Sequence, residues 1–319
     1  MTQKGLFQTI GACRQFFSEN GFLETPTPPL VEHPGMETHL HPFQVKSVYK
    51  NELLPLYLHT SPEFEMKSLL SQGFENIYHL GYCFRDEPSS HTHRPQFLML
   101  EWYRNGAYYH EILKDTLSLI NYVHHQLKSV GLPVYENLET LKFTVVELFE
   151  EYIGFQAIDY ETPLSFAQKI HHEYPELLST VDKDNLWPWE DYFFLLFLNK
   201  IESTFKKGTI VVVDEFPAPL AALSTLKSDN PKVCERFEVY LSGIELCNCF
   251  NELTNLDEQR ARFKEEASKK KNLYGYHLGE PQRLYESLER GLPKSAGNAL
   301  GVERLYMGLL REEVNPFYR

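Results

Sequence analysis

Hydrophobic and polar positions along the chain follow two periodicities, one typical of helices and one typical of strands. Apolar residues at helical spacing predict helices over residues 7 to 20, 61 to 70, 109 to 130 and 302 to 310. Alternating or short apolar runs predict strands over residues 77 to 87, 97 to 103, 209 to 213, 237 to 241 and 244 to 250. Because strands and helices do not alternate regularly, the pattern favours an α+β fold, an antiparallel sheet flanked by helices, over a doubly wound parallel fold.

Local signals add a helix start, a capping box and a hairpin turn to this pattern. Ser61 as N-cap and Pro62 at the first helical position predict a helix start, and Thr144 with Glu147 fits a capping box. Ser242-Gly243 predicts a two-residue hairpin turn. Residues 141 to 206 have a mostly helical pattern and are interpreted as an insertion or a helical layer on the sheet.

Composition narrows the class of protein. The 319 residues contain no linker-like segment, which predicts one domain over residues 1 to 319 with the helical insertion inside it. A net charge of -13 disfavours nucleic acid as the main partner. The basic run at residues 269 to 271 is interpreted as a solvated helix face. Five irregularly spaced cysteines and the absence of a signal peptide or a membrane-spanning apolar run predict a cytoplasmic protein that does not contact a membrane.

The strand over residues 97 to 103 carries candidate chemistry. Alternation places Phe97, Met99, Glu101 and Tyr103 on one face, and pairing with the preceding strand lets Arg85 and Glu87 join them. An arginine, an aromatic ring and carboxylates on one surface suit a nucleotide beside an amine. A solvent-facing sheet surface with incidental ion pairs is the alternative.

The hairpin around Ser242-Gly243 carries a second cluster. Glu238 and Glu245 share a face of the hairpin and would repel each other unless a cation such as Mg²⁺, with ATP phosphates, lay between them. Arg236 is the alternative positive partner. Asn248 and Glu252 alternate onto the opposite face of the strand from Glu245, so a bulge or the end of the strand near Cys249 is expected if all three reach one pocket.

A glycine-bearing passage from strand to helix ends the chain. Gly301 would let the backbone approach a ligand, and Arg304, one turn into the helix, could reach phosphate, although a tight turn is the ordinary interpretation. His91 and His93 lack the further ligands that a metal site needs.

At these residues the sequence resembles the class II aminoacyl-tRNA synthetase catalytic domain of the lysyl type. Three segments resemble the family's three motifs in order: Phe22-Leu23-Glu24-Thr25-Pro26-Thr27-Pro28, residues 84 to 87 with 93 to 103, and Ala299-Leu300-Gly301-Val302-Glu303-Arg304. Two segments between them are similar to lysyl-specific elements: Thr60-Ser61-Pro62-Glu63 and residues 243 to 253.

Within the family, the match is nearest to stand-alone paralogues that attach (R)-β-lysine to a lysine of elongation factor P. About 20 residues precede the first motif, so no anticodon-binding domain is expected, and Ala299 stands where such synthetases usually have glycine. The resemblance implies a ligase that uses ATP and Mg²⁺, takes (R)-β-lysine or lysine, modifies elongation factor P rather than tRNA, and forms a homodimer through the first motif. A tRNA-charging synthetase and a non-catalytic amino-acid-binding paralogue remain the alternatives.

The resemblance also implies residue roles. Arg85 would hold the α-phosphate, Glu87 the adenine and Arg304 the γ-phosphate, with Arg85, Glu245 and Arg304 as the catalytic set. The implied ATP site comprises Arg85, Asp86, Glu87, Arg94, Phe97, Glu245, Leu246, Gly301 and Arg304, with Glu238 and Glu245 on Mg²⁺. The implied amino-acid site comprises Ser61, Pro62, Glu63, Glu101, Tyr103, Asn248, Glu252 and Ala299. Arg94, Gln96 and Cys249 depart from the family pattern.

Overall fold

The computed structural model describes residues 2 to 316, which divide into two compact units. The first unit combines Met1–Glu136 with Leu246–Arg319, and the second is Asn137–Glu245. Residues 141 to 206 all belong to the second unit. The single domain expected from the sequence stays a prediction. Within residues 2 to 316, no helix is long and apolar enough to cross a membrane.

The structure contains the α+β mixture that the pattern predicts. The strands, in chain order, are β1 (Leu23–Glu24), β2 (Leu30–Val31), β3 (Gln44–Ser47), β4 (Glu52–Leu58), β5 (Asn76–Phe84), β6 (Gln96–Asn105), β7 (Glu139–Thr144), β8 (Thr209–Asp214), β9 (Arg236–Leu241), β10 (Ile244–Asn251) and β11 (Ser295–Gly301). The helices are α1 (Thr2–Glu19), α2 (Glu63–Leu70), α3 (Tyr109–Ser129), α4 (Val145–Tyr152), α5 (Pro163–Glu173), α6 (Trp189–Leu196), α7 (Leu256–Tyr274), α8 (Gln282–Arg290) and α9 (Val302–Leu309).

The main sheet of the first unit has the strand order β1-β5-β6-β11-β10. β5, β6, β11 and β10 are antiparallel to their neighbours, and β1 pairs in parallel with β5. A smaller sheet has the order β2-β4-β3. The register of β10 against β11 is continuous from Cys247 to Asn251, so the bulge that is one of the two expectations for Cys249 is not found. The other expectation, a strand end, is met at Asn251, directly before Glu252.

The two faces of the main sheet have different coverings. On one face, Trp102 packs 5.2 Å from Phe17 of α1, and the Asn298 amide donates to Thr116 of α3 at 2.8 Å. On the other face, α2 packs against β6. Glu101 and Tyr103 lie on that second face and are buried, which excludes the solvent-facing sheet surface considered from sequence.

The helix α2 begins one residue later than the capping signals predict. Pro62 is its N-cap, and the helix starts at Glu63. The Ser61 hydroxyl accepts a hydrogen bond from the Glu63 backbone N–H at 3.0 Å, a turn that leaves this hydroxyl free to donate elsewhere. The predicted first helical position for Pro62 is therefore wrong by one residue.

The second unit packs helices on a three-strand segment. β7 is parallel to β8, β9 is antiparallel to β8, and an aromatic core that includes stacked Phe149 and Phe193 holds the helices. The Thr144 capping box is confirmed. Ser242 and Gly243 both have positive φ, as the predicted hairpin turn requires.

Candidate functional site

The floor of a polar pocket is built from three adjacent strands of the first unit. Glu101 on β6 lies opposite Ala299 on β11, which lies opposite Asn248 on β10. One step along, Tyr103 lies opposite Gly297. A Cβ at Gly297 would lie 2.2 Å from the Tyr103 ring, so only glycine there lets the ring lie across the floor.

The Glu101 carboxylate is the centre of this pocket. It is 2% exposed and accepts hydrogen bonds from Tyr103 Oη at 2.7 Å and from Ser61 Oγ at 2.8 Å. Burial, and then the nearby charge of Glu63, raise the pKa of Glu101 to about 8. Both donors are neutral hydroxyl groups, and within residues 2 to 316 no basic side chain forms an ion pair with Glu101.

A buried lysine joins the other two carboxylates. The Lys67 ammonium lies 2.6 Å from Glu63 Oε1 and 2.5 Å from Glu252 Oε2. Burial alone would lower the pKa of Lys67, but Glu252 and Glu63 raise it above its ordinary value. Burial raises the pKa of Glu252 to about 7, against the opposing charge of Lys67.

The pocket therefore contains more buried carboxylates than cations. Glu63 and Glu252 pair with the Lys67 ammonium, whereas Glu101 is buried beside Ser61 and Tyr103. When all three carboxyls are ionised, the pocket carries an excess of negative charge. A buried charge is costly unless it is paired. Because a ligand ammonium group would restore the balance, the pocket is suited to an amine.

The raised pKa values predict how the pocket responds to pH. Between pH 5 and 8 the folded protein holds protons on Glu101 and Glu252 that the unfolded chain has lost, so the free energy of unfolding of the ligand-free protein should fall as pH rises. Affinity for an ammonium ligand should rise over the same range, because the ionised carboxylates bind it. Thermal unfolding and ligand titration at pH 5.5, 7 and 8.5 test both trends. A pH-independent affinity that matches that of Glu101→Gln would contradict the assignment.

The anion-binding end of the site lies where β5 ends. The Arg85 backbone N–H donates to the Pro95 carbonyl at 2.9 Å, and the guanidinium carbon lies 5.1 Å from the centre of the Phe97 ring. Within residues 2 to 316, the buried Arg85 Nε and Glu87 Oε1 atoms have no hydrogen-bond partner. Since buried polar atoms are normally paired, these atoms are suited to ligand contacts.

The loop over residues 88 to 95 lies against the start of α9. Arg304 Nε donates to the Thr92 carbonyl at 3.3 Å, and its NH2 group lies 2.9 Å from His93 Nε2. The Arg94 guanidinium donates to the carbonyls of Ser90 and His93 in its own loop. A Cβ at Gly301 would lie 3.3 Å from Arg304 Cδ, so this glycine keeps room for the arginine.

Glu303 is a further buried carboxylate that the sequence analysis did not single out. Both its oxygens accept from the Leu98 backbone N–H at 3.0 Å, and burial raises its pKa to about 7. It fastens α9 to β6. The sequence contains one indication of this role: Glu303 lies in the first turn of a predicted helix, where the helix dipole stabilises a carboxylate.

The remaining predicted residues of the first unit occupy varied environments. Asp86 is exposed, and its backbone N–H donates to the His41 carbonyl at 2.7 Å. Leu246 is buried, and Asn248 has a buried Oδ1 without a hydrogen-bond partner in the described chain. Asn248 therefore has a polar atom available to a pocket ligand.

The hairpin carboxylates belong to the second unit. Glu238 is buried, forms an ion pair with Arg236 and accepts from Tyr240 Oη at 2.6 Å. Burial raises the pKa of Glu238, Arg236 lowers it, and the charge of Glu245 raises it. Arg236, which the sequence offered as the alternative positive partner of these carboxylates, therefore pairs with Glu238. Among residues 2 to 316, no group of three His, Cys, Asp or Glu side chains could hold a metal alone.

The interpretation of the basic run at residues 269 to 271 as a solvated helix face is wrong for Lys270. Lys270 is 1% exposed, and its ammonium donates to the Leu40 carbonyl at 2.6 Å, while Lys269 pairs with Glu265 and Glu266. Three consecutive residues on a helix point in three directions about 100° apart, so one of them faces inward.

The comparisons with known proteins agree with this geometry. Residues 6–315 match the family model described as tRNA synthetases class II (D, K and N). The elongation factor P–(R)-β-lysine ligase of Avibacterium paragallinarum is 36% identical over 306 residues, which cover 93% of this chain and 88% of that protein. The ligase of the same name from Erwinia tasmaniensis is 37% identical, covering 94% and 88%, and that from Haemophilus influenzae strain PittGG is 33% identical, covering 93% and 87%.

Proposed function

The chain belongs to the class II tRNA synthetases of the D, K and N group, and from this premise we propose that it is an ATP-dependent ligase. It activates (R)-β-lysine as an aminoacyl-adenylate and transfers it to the ε-amine of a lysine of elongation factor P. The names of its relatives support the substrates of this reaction.

The observation that carries the proposal is the charge imbalance of the pocket. Three buried carboxyl groups, those of Glu63, Glu101 and Glu252, share the pocket with one buried ammonium, that of Lys67, so an amine-bearing amino acid fits better than an acidic or neutral one. Arg85, stacked on Phe97, supplies the anion-binding group in the same unit. A diamino acid with its carboxylate towards Arg85 satisfies both ends.

The first step forms the adenylate. A carboxylate oxygen of the amino acid attacks the α-phosphorus of ATP, the bond to the bridging oxygen breaks, and pyrophosphate leaves. Arg85 stabilises the negative charge that develops on the α-phosphate, and Arg304 contacts the γ-phosphate. Holding carboxylate and phosphate in line supplies much of the rate enhancement.

The second step transfers the aminoacyl group. The neutral ε-amine of the acceptor lysine attacks the adenylate carbonyl, an amide bond forms, and AMP leaves as the amine loses its proton. No covalent bond to the enzyme is needed. The protein contribution is to hold the adenylate and exclude water.

Magnesium fits the hairpin carboxylates of the second unit. Glu238 and Glu245 lie close enough for the charge of one to raise the pKa of the other, and carboxylate oxygens are preferred magnesium ligands. Held by these carboxylates, magnesium would supply positive charge that stabilises phosphate oxygens.

The acceptor is a protein rather than tRNA. The net charge of -13 repels a phosphate backbone, which supports this choice. A homodimer is also part of the proposal, supported by exposed Leu23 (53%) in the segment that resembles the family's first motif and by exposed Leu30 (45%) two residues beyond it. Five cysteines that form no disulfide within residues 2 to 316 support action in the reducing cytoplasm.

The decisive experiment incubates the purified protein with ATP, Mg²⁺, (R)-β-lysine and elongation factor P. We expect a mass increase on one lysine of elongation factor P, and none when ATP is omitted. Charging of bulk tRNA instead would favour the synthetase alternative. Absence of amino-acid-dependent ATP/pyrophosphate exchange with every lysine isomer would favour a non-catalytic binding protein.

A further inference from the structure

A short segment outside the recognised motifs lies beside the amino-acid pocket. The Thr60 backbone N–H and hydroxyl both donate to the Pro34 carbonyl, at 3.3 and 2.6 Å. Four residues on, the Thr38 backbone N–H and hydroxyl donate to Glu266 Oε2 of α7, at 3.0 and 2.6 Å. The segment over residues 34 to 38 is therefore fixed at both ends, next to the residues that open α2.

The conformation of Gly35 directs the Glu37 carboxylate towards this junction. Gly35 has a φ of 150°, and a Cβ there would lie 2.7 Å from Thr60 Oγ1 and 3.0 Å from Glu37 Oε2. Both oxygens therefore border the same small space. The Met36 backbone N–H donates to Glu37 Oε2 at 3.0 Å, which holds the carboxylate folded back over the glycine.

Glu37 is a half-buried carboxylate without an ion pair. Within residues 2 to 316 its side chain accepts the Met36 hydrogen bond alone and lies more than 4 Å from every basic side chain. Burial raises the pKa of Glu37, the charge of Glu63 raises it further, and Arg85 and Lys270 oppose this. Glu37 is thus close enough to Glu63 and Arg85 for their charges to act on it.

The different positions of these carboxylates suit the two amino groups of a diamino acid differently. Glu101 and Glu252 are buried, whereas Glu37 Oε2 and the Thr60 hydroxyl border the same space beside Gly35, at the start of the turn that leads to Glu63. The charge of Arg85 acts on Glu37, and in the proposed function Arg85 faces the reacting end of the amino acid. The two ammonium groups of such a ligand repel each other, and each needs its own countercharge.

We propose that Glu37, together with Glu63, binds the ammonium group nearest the reacting carboxylate and so helps to select the position of that amine. This assignment rests on the proposed function. Moving an amine from the α- to the β-carbon shifts it by about one bond, roughly 1.5 Å, a distance to which a fixed carboxylate is sensitive.

The test replaces the charge while keeping the shape, with Glu37→Gln. We expect the KM for (R)-β-lysine in ATP/pyrophosphate exchange to rise by about tenfold to a hundredfold, as for the loss of a charged hydrogen bond, while the KM for ATP changes less than about twofold. Glu37→Asp should recover part of the loss. Glu32→Gln, an exposed position on the same stretch of chain, is the matched control.

A ligand without the proximal amine separates recognition from a general structural role. 6-Aminohexanoate keeps the carboxylate and the distal ammonium, so its inhibition constant should be the same for Glu37→Gln and the unmodified protein. An equal rise for both ligands, an unchanged KM for β-lysine, or a parallel rise in the KM for ATP would overturn the assignment. If the unmodified protein shows no exchange with any lysine isomer, the proposed function fails first.

Discussion

Arg85→Met is expected to lower the rate of ATP/pyrophosphate exchange by about 10³-fold or more, the largest catalytic loss of any single change considered. An arginine that stabilises transferring phosphoryl charge is worth about 10³ to 10⁵ in kcat. The Arg85 Nε atom is buried without a hydrogen-bond partner in the described chain, so its removal breaks no internal polar contact at that atom. Pre-steady-state and steady-state exchange assays measure the effect.

The controls separate lost chemistry from lost structure. Arg311→Met removes an exposed arginine and should leave exchange unchanged. Arg85→Met should unfold within about 1 kcal/mol of the unmodified protein, since methionine still packs on the Phe97 ring. Exchange within tenfold of the unmodified rate would show that Arg85 does not bear on the reacting phosphate.

Lys67→Met is expected to produce the largest loss of stability, about 3–5 kcal/mol at pH 8. It removes the ammonium that pairs with both Glu63 and Glu252, and within residues 2 to 316 it leaves these two buried carboxylates without an ion pair. A loss of that size is a large fraction of the net stability of a folded domain. Urea unfolding compared with the unmodified protein measures it.

The loss should depend on pH in a defined direction. With Lys67 gone, the folded protein can relieve the repulsion only by protonating Glu252 or Glu63, so the difference in free energy of unfolding should shrink as pH falls from 8 to 5.5. Glu252→Gln added to Lys67→Met should restore part of the stability.

An exposed lysine provides the control for this change. Lys169 pairs with Glu173 on the surface of α5, and Lys169→Met should cost less than about 1 kcal/mol at either pH. If Lys67→Met also costs less than that at pH 8, the buried pair does not organise the pocket.

The buried carboxylates change the interpretation of the polar face of the sheet. A sheet surface with scattered ion pairs would be screened by water and insensitive to single changes. Here burial raises the pKa of Glu101 to about 8, so this carboxyl keeps its proton in the ligand-free protein below that pH. A ligand ammonium would favour the ionised form of a carboxyl that Tyr103 and Ser61 already hold in position.

Local patterns fixed the elements that short-range physics controls. The alternation over residues 97 to 103, the Thr144 capping box and the Ser242-Gly243 turn all appear as predicted, because each depends on residues within a few positions of one another. The irregular order of predicted strands and helices along the chain was enough to predict the α+β class. The motif residues Arg85, Glu101 and Glu252 were also identifiable from sequence.

Contacts between distant segments decided the rest. The last four residues of β7, 141 to 144, lie in the segment predicted to be mostly helical, and they form a strand because β8, far along the chain, supplies their hydrogen-bonding partner. Lys67 and Lys270 resemble surface lysines in sequence, yet both are buried by residues remote from them. Glu37 carries no motif, and its proximity to Arg85 exists only after folding. The sequence therefore determined which residues could take part in catalysis and binding. The tertiary structure determined which charged groups are buried together, because burial and charge pairing depend on long-range contacts that no local pattern encodes.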